Sequence, residues 1–108
     1  MAVSERLLGQ LLYEEEGPTL DFKREQYPFE GATDDQKGEL LKDILSFVNA
    51  WRRADAYILV GVEEVRGGRS CPVGVGNHLE DSKLQQFVNS KTQRPVHFSY
   101  QEARFDGA

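Results

Sequence analysis

Tyr57-Ile58-Leu59-Val60-Gly61-Val62 is the most apolar run in the chain, and its reading decides the fold. Short, continuous and rich in branched side chains, it has the pattern of a strand covered on both faces. Within the strand expected over 56–65, it forms the centre of a sheet and stops at Glu63-Glu64. The next residues, Arg66-Gly67-Gly68-Arg69, carry a turn signal. The chain is then expected to return through Val73-Gly74-Val75 as a hairpin.

A second strand is expected upstream, where Glu16-Gly17-Pro18-Thr19-Leu20-Asp21-Phe22-Lys23 breaks a helix and starts again. Gly17 supplies backbone freedom, and Pro18 suits the first positions of a strand. Leu20 and Phe22 then face one way, Asp21 and Lys23 the other. Two acids five positions apart flank the break. They can hold a metal, act on a substrate or cap neighbouring backbone.

Helices fill the remaining segments. Ser4 caps a helix predicted over 4–15, with Leu7, Leu8, Leu11 and Leu12 on one face. Glu14, Glu15 and Glu16 then crowd its C-terminal end, where negative charge opposes the helix dipole. After a loop carrying Tyr27 and Phe29, Thr33 and Gln36 have capping-box spacing. Leu40, Leu41, Ile44, Leu45, Val48 and Trp51 recur at helical spacing, and the helix is expected to end within 49–53. A third helix is predicted over 81–91, with Leu84, Phe87 and Val88 inward and a capping-box spacing from Ser82 to Gln85. Val96, Phe98 and Tyr100 alternate with polar residues as in a half-exposed strand. Phe105-Asp106-Gly107-Ala108 reads as a hairpin turn, and a longer protein cut before its last strand is expected.

The 108 residues make one domain, and 39% hydrophobic with 29% charged residues is ordinary for a globular protein. No apolar run suits a membrane span and no signal-peptide pattern is present, so a cytoplasmic protein is expected. Cys71 has no cysteine partner, and His78 and His97 lack metal-ligand spacing. A catalytic thiol and a structural zinc site are therefore set aside. No phosphate loop of the Walker type exists. The net charge is −5, from 18 acidic and 13 basic residues, the wrong sign for coating nucleic acid through bulk charge.

Four separated motifs occur together: Glu16-x4-Asp21-Phe22-Lys23; Lys42-Asp43-Ile44-Leu45-Ser46-Phe47-Val48-Asn49; Tyr57 to Glu64; and Val73-Gly74-Val75. In this order they resemble the Alba-type domain shared by Schlafen proteins and many bacterial transcriptional regulators. The resemblance implies an α/β (α+β) fold, a mixed sheet of about four to six strands packed against two or three helices. It also implies nucleic-acid binding, DNA or RNA, often in a chain that continues into a helix-turn-helix or ATPase-like region. Some Schlafen members cleave RNA with three acids, which by position are Glu16, Asp21 and Glu64 here, with Glu63 a rival for the third place. Such cleavage would need Mg²⁺ or Mn²⁺ at those carboxylates. One departure is that Asn49 is followed by Ala50-Trp51-Arg52-Arg53-Ala54-Asp55 rather than by a small residue and a Gly-Gly pair.

The basic candidates for contact with nucleic acid are Lys23, Arg24, Lys42, Arg52, Arg53, Arg66 and Arg69, the last two flanking the hairpin tip. Three functions follow as expectations: a DNA-binding module of a transcriptional regulator, a metal-dependent endoribonuclease, and a protein-interaction or homodimerisation module.

Overall fold

The computed structural model describes residues 4–49, 55–105 and 107–108. In chain order the elements are α1 (Glu5–Leu11), β1 (Leu20–Lys23), α2 (Asp34–Asn49), β2 (Tyr57–Val60), β3 (Val62–Glu63), β4 (Cys71–Pro72) and α3 (Asp81–Ser90). This is the mixed α+β architecture expected, with three helices. Among the described residues the four strands form two pairs, β1 with β2 and β3 with β4.

The first pair is parallel, with Leu20 opposite Tyr57 and Lys23 opposite Val60. Parallel neighbours need a crossover, and α2 lies between them in sequence. Period two then sorts the side chains. Leu20, Phe22, Tyr57 and Leu59 pack with Leu11, Leu12 and Val62, the core under α1. Ile58 and Val60 pack on the opposite core, built from Leu40 and Ile44 of α2 with Leu84 and Val88 of α3. The apolar run is thus covered on both faces, although each residue of β2 is only half-buried.

It is not one uninterrupted strand. Gly61 breaks it with φ of 87°, and a Cβ there would come within 3.0 Å of the Gly74 carbonyl carbon. Its carbonyl accepts from both Val73 and Gly74, and its N–H donates to Lys23 at 2.6 Å. The return strand begins earlier than expected, since β4 pairs Cys71 with Glu63 and Pro72 with Val62.

Helix boundaries follow local chemistry. Ser4 caps α1 by accepting from the Leu7 N–H. That helix ends at Leu11 rather than Glu15, so Glu14 to Glu16 lie beyond it and the expected conflict with its dipole does not arise. The Thr33–Gln36 capping box is present in both directions, at 2.9 and 3.2 Å. The one proposed at Ser82 is not: α3 starts at Asp81, which places Ser82 inside the first turn, and Gln85 bonds to Asp81 instead. Val48 is exposed rather than inward. Trp51, Arg52, Arg53 and the remodelled turn after Asn49 lie outside the described residues.

Val96 to Tyr100 keeps its alternating burial but joins no ladder. Two of its backbone donors are taken by side chains of α3, Val96 N–H by Asn89 and Tyr100 N–H by Asp81, both at 2.7 Å. Side chains that satisfy the backbone remove the need for a partner strand. At the C-terminus Phe105 and Ala108 exchange two backbone hydrogen bonds, closing the expected turn.

Candidate functional site

The turn at Gly17-Pro18-Thr19-Leu20 builds the site. Gly17 donates to the Leu20 carbonyl at 2.9 Å and accepts from its N–H at 3.4 Å, folding the chain back on itself. Glu16 is thereby brought beside β1, where its carboxylate accepts from the Phe22 N–H at 2.8 Å. This contact caps backbone at the strand, as one sequence reading allowed. It also explains the spacing of the motif: four residues of turn are what bring the first acid back to the second.

Glu64 arrives from the other sheet. β3 pairs with β4, and Ser70, completely buried, ties this arm to α1. Its N–H donates to the Leu12 carbonyl at 2.7 Å, while its hydroxyl accepts from the Val65 N–H at 3.0 Å. Glu16 lies close enough to both Asp21 and Glu64 for the carboxyls to perturb one another's protonation, with Glu16 between the other two. Glu63, the rival, points elsewhere and lies 3.8 Å from Arg24.

Three carboxyls this close cannot all be charged at low cost. Burial, followed by the hydrogen bond to Glu16, raises Asp21 to about 6. Partial desolvation and its bond to Glu16 also raise Glu64. Glu16 is lowered, chiefly by the hydrogen bond from Asp21. Glu16 therefore becomes charged first as pH rises, and Asp21 holds its proton until about pH 6.

The oxygens are the hard donors that Mg²⁺ or Mn²⁺ takes. Their arrangement is nonetheless a row, not a cage. Among the described residues no group of three or more His, Cys, Asp and Glu side chains is placed to hold a metal ion. No chemical step is assigned to a cation here.

Lys23 borders the acids. Its ammonium lies 3.5 Å from Asp21, 3.3 Å from Asp43 and 3.8 Å from Glu39. Burial alone would lower its pKa, but the hydrogen bond it donates to Asp43 and the surrounding carboxylates outweigh that and raise it. Asp43 in turn accepts from the hydroxyl of buried Tyr27 at 2.6 Å. Burial and Asp43 together push the Tyr27 phenol far up. Neither Tyr27 nor Asp43 was singled out from the sequence as a site residue. Asp43 sits inside a recognised motif, which is the only signal that pointed to it.

The other basic candidates scatter. Arg66 lies 3.8 Å from Glu64 and is almost fully exposed, so it and Lys23 flank the acids, while Arg24 pairs with Glu63 outside them. Lys42 is exposed on α2, and Arg69 stacks 5.6 Å from the Phe105 ring. Arg52 and Arg53 lie outside the described residues. Among the described residues the structure thus shows carboxylates at the centre with Lys23 and Arg66 beside them. No helix is long and apolar enough to cross a membrane among the described residues.

A sequence model of the family described as Schlafen, AlbA_2 matches residues 16–108. The match begins at Glu16, the central acid of the cluster. No curated protein and no solved structure matches the chain.

Proposed function

We propose that this chain, which belongs to the Schlafen, AlbA_2 family, is a nucleic-acid-binding module that meets phosphate at the carboxylate corner. The observation that carries this reading is that two cations lie beside the acids, Lys23 at 3.5 Å from Asp21 and Arg66 at 3.8 Å from Glu64. Arg66 is held at 3.8 Å by one carboxylate at an exposed site, an exchangeable surface pair, so an incoming phosphate can compete for it. The family ties the chain to nucleic-acid-related domains, and the finer role is DNA binding within a cytoplasmic transcriptional regulator. The acidic balance of the whole chain keeps such binding local and salt-sensitive. Affinity for labelled duplex DNA and single-stranded RNA, measured against NaCl, tests the reading. Binding that weakens as salt rises supports it, and no binding at low salt removes it.

A second reading, an endoribonuclease requiring Mg²⁺ or Mn²⁺, is favoured by one observation: the three acids that the motif supplies come together. RNA cleavage that needs added Mn²⁺ and disappears in Asp21→Ala would support it. Cleavage that survives Asp21→Ala would exclude it.

A further inference from the structure

We infer that Tyr27 and Asp43 are positioning residues that hold the Lys23 ammonium at the carboxylate corner, so that α2 sets the geometry of a site built on β1. The inference rests on the reading of this corner as the place where phosphate is met. The chain of contacts is continuous. The Tyr27 hydroxyl donates to Asp43 Oδ2 at 2.6 Å, the same oxygen lies 3.3 Å from Lys23 Nζ, and Lys23 Nζ lies 3.5 Å from Asp21. The Tyr27 ring is anchored in the core with Phe29, Leu40 and Ile44, which leaves its hydroxyl in a defined place.

A lysine has four rotatable side-chain bonds and loses much entropy when ordered. Held by Asp21 alone, the ammonium would sample many positions along the edge of β1. Asp43 provides a second anchor on the opposite side, and Tyr27 fixes which way Asp43 faces. Asp43 is mostly buried, its side chain about 20% exposed, so its grip on Lys23 is less screened than that of exposed Glu39. The phenol adds no charge. It orients one carboxylate, and that carboxylate orients the cation.

A double-mutant cycle tests this, read as the affinity of labelled single-stranded RNA and labelled duplex DNA across a range of NaCl. Lys23→Ala is expected to weaken binding and to reduce the salt slope by about one phosphate contact. Tyr27→Phe removes one oxygen and no charge, so it should weaken binding about 3- to 10-fold with the slope retained. In the Lys23→Ala background, Tyr27→Phe should cause no further loss, and Asp43→Asn should behave in the same way. A Tyr27→Phe effect that persists undiminished without Lys23 would mean that the phenol acts through the fold, which overturns the inference. Should Lys23→Ala bind as wild type with an unchanged slope, both the inference and the underlying reading of the corner fall. If Lys23→Ala weakens binding while Tyr27→Phe and Asp43→Asn do not, only the inference falls. Circular dichroism of each variant confirms that the comparison is between folded proteins.

Discussion

Replacing Asp21 with asparagine is expected to stabilise the fold at neutral pH and to leave it nearly unchanged in acid. In the folded protein the Asp21 carboxyl is raised from 3.8 to about 6. The folded state therefore holds this proton more tightly than the unfolded chain does. The associated stability is complete below pH 3.8 and is lost as pH rises through 6. At about 1.36 kcal/mol per pH unit, the rise corresponds to roughly 3 kcal/mol of instability at pH 7. Two effects reduce the gain from removing it. The side chain is 27% exposed, so water screens part of the repulsion, and the substitution also gives up the pair with Lys23. About 1–2 kcal/mol should remain after those deductions. Asparagine resembles the protonated acid in shape and can still donate to Glu16. For a domain near this size, each kcal/mol moves the melting temperature by about 4–8 °C. Urea unfolding of both proteins at intervals from pH 3.5 to 8 provides the measurement. A gap that opens between about pH 4 and 6.5 and then levels off is the expected result. The reasoning is wrong if the variant is less stable at pH 7.5, or if the gap is the same in acid.

Other substitutions probe the scaffold. Gly61→Ala places a Cβ at φ 87° and 3.0 Å from the Gly74 carbonyl carbon, so a loss of about 2–4 kcal/mol is expected in chemical denaturation. Leu84 of α3 is 1% exposed in the core it shares with Leu40 and Ile44 of α2, and Leu84→Ala should cost about 2–5 kcal/mol, read as an earlier urea midpoint. Thr33→Ala removes the cap of α2 and should cost about 1 kcal/mol in the same assay. An unchanged midpoint would show that Gln36 alone suffices there.

Much of this architecture was legible because its causes are local. The Thr33–Gln36 cap, the Gly-Pro turn and the alternation of β1 each depend on residues a few positions apart, and each is found as read. The misses came where distant groups intervened. The return through Val73 and Gly74 was expected, but not that their N–H groups would claim the Gly61 carbonyl and end β2. The period-two pattern of Val96 to Tyr100 is real, yet pairing was pre-empted by Asn89 and Asp81. Periodicity reports which face is buried. It does not report where backbone donors go.

The site divides in the same way. Its acids could be named from the chain alone, because the turn that returns Glu16 to Asp21 is encoded within the motif itself. Only the tertiary structure decided that Glu64 joins them, since the buried Ser70 that ties its arm to α1 acts across residues far apart in sequence. The charge state of the cluster was decided there too. Identity says that three residues are acidic, but which one keeps its proton depends on burial and on who donates to whom. Lys23 shows this most clearly: β1 supplies the cation, and its partners Asp43 and Tyr27 reach it only because α2 packs over that face of the sheet.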